Sequence, residues 1–130
     1  MDPAGRRVGA VSEVAVISLD QVDPIELPQG SWSRMLVTDK QTEGNRASLG
    51  YSVFTPGTEL NPVKHETEEV AYVVSGSGEL RLDDRTVTFT PGDALFIPPD
   101  TWHAVANTGT DDVIMVFGFP HPDYPPTQRR

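Results

Sequence analysis

Apolar and polar residues alternate along several short stretches of this chain, and turn-forming residues separate those stretches. Residues 69–75 (EVAYVVS) show the alternation most clearly, because the small apolar Ala71 and Val73 share one face with Glu69. A repeat of two residues is the period of a β-strand. The pattern therefore predicts a strand with one face turned to the interior.

Further stretches of similar length predict the other strands. They are VAVISL (14–19), WSRMLVT (32–38), RASLGYSVF (46–54), GELRLD (78–83), RTVTFT (85–90), DALFIP (93–98), WHAVANT (102–108) and DVIMVFGF (112–119). The residues between them include Gly, Pro, Asp and Asn, which favour the tight turns of β-hairpins. No stretch shows the 3.6-residue period of a long helix. These features predict an all-β fold, a sandwich or barrel of two packed antiparallel sheets.

Length and composition agree with one domain. The chain has 130 residues, of which eleven are glycine and twelve are proline, a turn density that favours short strands. We predict a flexible N-terminal arm over residues 1–12, a single β-barrel domain over 13–119, and a Pro-rich C-terminal tail over 120–130 (PHPDYPPTQRR).

Charge and cysteine content exclude several classes of function. The formal net charge of −9 disfavours nucleic acid and anionic membranes as partners. The chain has no cysteine, so a metal would be held by His, Asp, Glu or carbonyl oxygen. No apolar run has the length of a signal sequence core or a membrane span, and we therefore expect a soluble, cytoplasmic protein.

The segment PGTELNPVKHETEEV (56–70) contains the first candidate site. His65 and Glu69 are four residues apart, a spacing that places both side chains on one face if the strand period extends back to His65. Glu66 and Glu68 flank the pair and are expected to face solvent. A carboxylate cluster beside one histidine is more often a solvated surface than a metal site.

The segment PGDALFIPPDTWHAVAN (91–107) contains the second. It places His103 in a strand that follows a Pro98–Pro99 corner. A single strand histidine is more often packed in a core or exposed than bound to metal, so neither segment alone predicts a site.

Together the two segments resemble the paired sequence motifs of the cupin superfamily. The glycines, His, Glu, Pro and Asn of the two motifs correspond, with intervals kept, to Gly57, His65, Glu69, Gly76, Gly92, Pro98, His103 and Asn107. The resemblance covers residues 46–119 and implies a small double-stranded β-helix, the jelly-roll or cupin barrel.

Two positions depart from the motifs. Asp100 stands where the family has a turn glycine, a mild change because Asp tolerates left-handed backbone conformations. Val63 stands where the family has a further histidine ligand. The resemblance then implies a metal site of His65, Glu69 and His103. Two imidazoles and one carboxylate suit Fe(II), our preferred metal, and also Mn, Co, Ni or Zn.

The resemblance implies two alternative functions. The first is a metal-dependent enzyme with oxygenase, isomerase, lyase or cyclase chemistry on a small organic substrate bound in the barrel. The second is a non-catalytic cupin that binds or senses a small ligand and whose metal site has degenerated. Val63 cannot donate to a metal and supports the second, whereas the three retained ligands support the first, which we expect.

Other polar side chains are candidates for catalytic roles. Tyr51 and Tyr72 can act as general acids or hydrogen-bond donors if they face the pocket, and Glu59 can reach in from the loop before Val63. Packing in the core explains the two tyrosines equally well, and a position in a solvent-exposed loop explains Glu59. The face of residues 70, 72 and 74 is apolar and would be exposed, which predicts a homodimer.

Overall fold

Two antiparallel sheets make up the fold, which confirms the all-β prediction. The computed structural model describes residues 13–130, so the N-terminal arm predicted for residues 1–12 lies outside the described residues. Within 13–130, no helix reaches the length and apolar character needed to cross a membrane.

The chain forms eleven strands and two short 3-10 turns, Leu19–Gln21 and Pro28–Gly30. The strands are β1 (Ile25–Glu26), β2 (Trp32–Val37), β3 (Ser48–Phe54), β4 (Val63–His65), β5 (Glu69–Ser75), β6 (Gly78–Leu82), β7 (Thr86–Phe89), β8 (Ala94–Ile97), β9 (His103–Ala106), β10 (Val113–Phe119) and β11 (Thr127–Arg129).

From β3 onward the strands alternate between the two sheets, apart from the β6–β7 hairpin. The six-stranded sheet has the order β1-β2-β3-β10-β5-β8, and the five-stranded sheet has the order β11-β4-β9-β6-β7. Strands β4 and β5 are neighbours in sequence but lie in different sheets. Residues at the two ends of the loop between them can therefore face each other across the interior.

Strand β5 has the orientation that its sequence predicts. Ala71 and Val73 are buried, whereas Val70, Tyr72 and Val74 are each about half exposed, between 47% and 50%. Val73 joins a core between the sheets that also contains Phe54, Leu80, Phe89, Ile97, Val113 and Met115, and Ala71 packs with Met35, Phe117 and Phe119. Burial of such side chains is the main stabilising contribution to the fold.

Strand β3 turns its less apolar face inward. Ser48, Gly50 and Ser52 are buried, whereas Leu49 is 39% exposed. Gly50 is the cross-strand partner of Phe117, and a Cβ at this position would overlap the Phe117 ring. A glycine therefore makes room for an aromatic side chain of the interior.

The strand predicted at residues 14–19 is wrong. This segment has no strand, and its end enters the first 3-10 turn. Val14 and Val16 are 97% and 88% exposed, so their β-branched side chains reflect local propensity without a partner strand to bury them.

Two strands that the alternation did not predict border the interior. They are β4, which has only three residues, and β11, which lies in the predicted tail. Strand β11 pairs antiparallel with β4, with Thr127 opposite His65 and Arg129 opposite Val63. The last residues of the chain therefore belong to the five-stranded sheet.

Gly76 lies in the turn between β5 and β6 with a φ of 79°. A Cβ at this position would overlap the backbone carbonyl oxygen of Asp112, whereas Gly92, whose φ is 93°, has open space around it. We expect Gly76→Ala to lower the free energy of unfolding by roughly 2 kcal/mol or more, through left-handed strain plus the clash. We expect Gly92→Ala to lower the free energy of unfolding by only about 1 kcal/mol, because left-handed strain acts there without a clash.

Urea denaturation of the two variants beside the wild type measures this difference. If both variants lose the same free energy of unfolding, a Cβ at residue 76 does not clash with the Asp112 carbonyl oxygen.

Candidate metal centre

Three potential ligands from both sheets converge inside the barrel. His65 ends β4 and His103 begins β9, so both belong to the five-stranded sheet, while Glu69 begins β5 in the six-stranded sheet. Both histidines are buried, and one ligand atom from each of the three residues lies within 4.8 Å of the others. The geometry thus brings together the three residues that the motifs indicated.

The convergence arises differently from what the spacing predicted. We expected His65 and Glu69 to share one face of a single strand. They lie on two strands of opposite sheets, and the loop at residues 66–68 carries the chain across. The contact is therefore made across the interior, with Glu69 Oε1 3.2 Å from His65 Nε2.

His103 is held so that Nε2 faces the centre. Its Nδ1 lies 2.8 Å from the backbone carbonyl oxygen of Thr101, which can only accept a hydrogen bond, so Nδ1 carries a proton. In neutral His103 the lone pair is then on Nε2, which lies 3.3 Å from Glu69 Oε1. His65 has the same orientation, with Nδ1 2.7 Å from Thr127 Oγ1 on β11.

This arrangement requires positive charge between the three side chains. A lone pair on an imidazole nitrogen and a carboxylate oxygen repel each other at hydrogen-bond distance unless a proton or a metal ion lies between them. Two imidazole nitrogens and one carboxylate oxygen are donors that divalent transition metals accept. His65, Glu69 and His103 therefore fit such a metal.

The pKa shifts of His103 and Glu69 also favour a positive charge next to the carboxylate. Burial by itself lowers the pKa of His103, but the hydrogen bond and charge of Glu69, together with the Thr101 carbonyl, outweigh burial and raise it. Burial by itself raises the pKa of Glu69, but hydrogen bonds from His103 and His65 outweigh burial and lower it. Both shifts favour the charged form of the pair.

A cavity of about 310 Å³ opens beside the three residues. Its walls are largely apolar and come from both sheets; among the lining residues are Leu27, Phe54, Leu60, Val63, Ala71, Leu95, Met115, Phe117, Phe119 and Tyr124. Arg129 and Arg130 also line the cavity, and the charge of Arg130 is paired with that of Asp83. This combination of an apolar wall and a few polar groups is typical of a small-molecule site.

Val63 faces this cavity beside the ligands. It is the cross-strand partner of His103 and stands two residues before His65 on β4. Residues two apart share a strand face, so Val63 presents an apolar surface where the family motif has a donor.

Tyr124 is a cavity residue that the sequence did not indicate. Its ring meets the edges of His65 at 5.3 Å and Phe119 at 5.4 Å between centroids. Burial, and then the charge of Glu69, raise the pKa of the Tyr124 phenol, so the hydroxyl keeps its proton at neutral pH. Tyr124 lies among prolines without alternation, so no local pattern marks it as inward.

The three predicted catalytic side chains lie away from the cavity. Tyr51 stacks on Trp32 with ring centroids 5.9 Å apart, Glu59 is bound to Arg81 at 2.8 Å, and Tyr72 is exposed on the outer face of β5. None of the three lines the cavity. The geometry brings these side chains neither to His65, Glu69 and His103 nor into contact with each other.

Comparison with known proteins agrees with the fold and the motifs. A family model described as "Cupin domain" matches residues 50–119. Protein SchB of Streptomyces halstedii is 30% identical over 116 residues, which are 85% of this chain and 83% of SchB. This chain belongs to the cupin family.

Two further proteins resemble this one. Polyketide synthase CurC of Streptomyces cyaneus is 29% identical over 103 residues, covering 78% of this chain and 66% of CurC. The solved structure of the polyketide cyclase RemF from Streptomyces resistomycificus superposes with a TM-score of 0.76 at 24% identity, over 90% of this chain and 85% of RemF. This structural likeness shows the fold.

The pKa shifts predict how pH changes the stability of chelator-treated protein. The contribution of Glu69, whose pKa is lowered, is present above the ordinary carboxyl pKa of 4.5 and is lost as pH falls through the lowered value. The contribution of His103, whose pKa is raised, is complete below the ordinary imidazole pKa of 6.5 and is lost as pH rises through the raised value.

We therefore expect the difference in free energy of unfolding between the wild type and Glu69→Gln to be largest between these two pH values. Denaturant titrations of both proteins across the pH range measure it. A difference that stays constant with pH would show that the ion pair is not formed.

Proposed function

From membership of the cupin family and the geometry of the site, we propose that this protein is a metal-dependent enzyme acting on a small organic substrate. The observation that carries the proposal is the convergence of three ligand atoms within 4.8 Å beside a cavity. His103 Nδ1 is bound to a backbone carbonyl on the far side, which leaves Nε2 to donate to a metal.

We propose Fe(II) as the metal. Two histidines and one carboxylate with open coordination positions are the ligand set of many non-haem Fe(II) sites, and Mn, Co, Ni and Zn accept the same donors. Availability as well as ligand type decides occupancy, so metal analysis identifies the ion directly.

We propose an oxygen-rich, partly aromatic substrate and a cyclisation reaction. Support comes from the relative CurC, which is named a polyketide synthase, and from aromatic side chains in the cavity wall, such as Phe54, Phe117 and Phe119. Offset or edge-on packing against these rings stabilises a planar substrate. Arg129 also lines the cavity, and its positive charge favours enolic or carboxylate oxygens there.

The residues of the site would act mainly by positioning. A bound divalent metal supplies Lewis acidity that polarises a carbonyl oxygen. His65, Glu69 and His103 hold that charge at a fixed point, and the apolar wall excludes water from the reacting atoms. The Tyr124 phenol, protonated and at the cavity, can donate a hydrogen bond to a substrate oxygen.

A non-catalytic binding protein is the second candidate, and the apolar Val63 in the fourth ligand position favours it. The two candidates predict different results in native mass spectrometry. A co-purified small molecule that is recovered unchanged after incubation with metal-replete protein would favour the binding protein.

We also retain two predictions about the setting of the protein, a homodimer and a cytoplasmic location. The homodimer would use the outer face of β5, where Val70, Tyr72 and Val74 are each about half exposed and form an apolar surface.

Metal content tests the proposed site. Protein purified without chelator is expected to contain close to one equivalent of a divalent transition metal, and His103→Ala is expected to lose most of it because a ligand is removed. His121→Ala is the matched control, since His121 bonds the Asp123 backbone and does not line the cavity. Elemental analysis that finds no metal in the wild type, or equal metal in both variants, would refute the site.

Val63→His tests the vacant ligand position. A histidine here would share the strand face of His65, so we expect metal affinity to rise, by about tenfold or more, as for an added ligand bond of roughly 1.4 kcal/mol or more. Competition with a chromophoric chelator measures the affinity. If affinity is unchanged, residue 63 does not point at the metal.

A further inference from the structure

The side chain of Thr127, near the end of the chain, contacts His65 from the side opposite Glu69. Thr127 lies on β11 directly across from His65 on β4, and its Oγ1 is 2.7 Å from His65 Nδ1. The two residues are 62 positions apart in the sequence. The contact therefore depends on the docking of β11 against β4.

The single hydroxyl proton of Thr127 is already committed. Thr127 Oγ1 lies 2.8 Å from the backbone carbonyl oxygen of Pro125, which can only accept a hydrogen bond. When Thr127 donates to Pro125, its oxygen has only lone pairs left for His65. His65 Nδ1 must then carry the proton of that second bond.

We propose that Thr127 is a positioning residue that fixes the tautomer of His65 for metal binding. With its proton on Nδ1, neutral His65 presents the Nε2 lone pair to the centre, 3.2 Å from Glu69 Oε1. This inference rests on the proposed function, since a free Nε2 lone pair is what a metal requires.

The alternative tautomer would block the site. Without an acceptor at Nδ1, neutral His65 gains a hydrogen bond by placing its proton on Nε2, where Glu69 accepts it. The ligand atom then carries a proton that a metal must displace. Removal of the Thr127 oxygen therefore stabilises a closed, metal-free pair of His65 and Glu69.

Further contacts hold β11 in register for this role. The backbone N–H of Glu66 donates to Pro126 O at 3.0 Å, and that of Arg130 donates to Pro62 O at 3.3 Å. The Arg130 guanidinium lies over the Trp102 ring, 4.3 Å from its centroid, and pairs with Asp83. The strand is therefore fixed on both sides of Thr127, as a positioning residue requires.

Thr127→Val is the direct test, because valine keeps the shape and strand propensity of threonine but offers no acceptor. Thr127→Ser keeps the hydroxyl. Thr42→Val is the matched control: the Thr42 hydroxyl also donates to a backbone carbonyl, that of Thr38 at 2.8 Å, but Thr42 does not line the cavity.

The first measurement is nitrogen NMR of ¹⁵N-histidine-labelled, metal-free protein at alkaline pH, with His65 signals assigned from His65→Ala. Thr127 Oγ1 and Glu69 compete for the single proton of neutral His65, so we expect a measurable Nδ1–H fraction in the wild type, Thr127→Ser and Thr42→Val, and its loss in favour of Nε2–H in Thr127→Val. The second is Zn²⁺ affinity by competition titration. We expect Thr127→Val to bind about 10–100-fold more weakly, and the other two variants to match the wild type.

The outcomes separate this inference from the proposed function. Equal Nδ1–H fractions in the wild type and Thr127→Val, or an unchanged Zn²⁺ affinity in Thr127→Val, would overturn the role of Thr127 while leaving the metal site intact. A wild type that binds no Zn²⁺ would refute the proposed function, and the metal-free spectra would still decide the tautomer. If Thr127→Val does not fold, as judged by its thermal transition, Thr127→Ala and the wild-type spectrum decide.

Discussion

A carboxylate buried between two sheets has to be neutralised, and the centre of this barrel is built around that constraint. Glu69 is only 14% exposed at its side chain, and its Oε1 lies between two imidazole nitrogens at 3.2 and 3.3 Å. An uncompensated buried charge would cost several kcal/mol. The two imidazoles therefore stabilise the carboxylate in its place, and the three side chains form one unit.

The backbone holds that unit from behind. The loop that precedes His103 is tied to the strand that ends at His65, because the N–H of Asp100 donates to the His65 carbonyl oxygen at 2.8 Å. Asp100 adopts a left-handed conformation there, with a φ of 55°, where the family motif has glycine. The same turn leads to the Thr101 carbonyl that holds the His103 ring. The positions of both imidazoles thus depend on one short loop.

The sequence predicted those parts of the structure that carry local periodicity or a spaced motif. The alternation from Glu69 to Ser75 set both the strand and its buried face, and the motif intervals identified His65, Glu69 and His103. A face cannot be assigned where both sides are mixed, so in β3 the inward side carries Ser52 and glycine while Tyr51 packs outside. Strand β11 has three residues among prolines, and only its partner β4, distant in sequence, makes it a strand.

The site is built from two parts of the sequence, the motif region and the C-terminal segment that contains β11. The three candidate ligands lie in the motif region, and the neutralisation of Glu69 by the two histidines follows from the chemistry of their side chains. Tyr124 and Thr127 lie in a segment with no motif, yet one forms the wall beside His65 and the other contacts its far nitrogen. Val63 makes one side of the site apolar. The shape of the cavity therefore depends on residues such as Val63 and Tyr124, which surround the three candidate ligands. Proteins that share the three ligands can therefore differ in substrate through these positions alone.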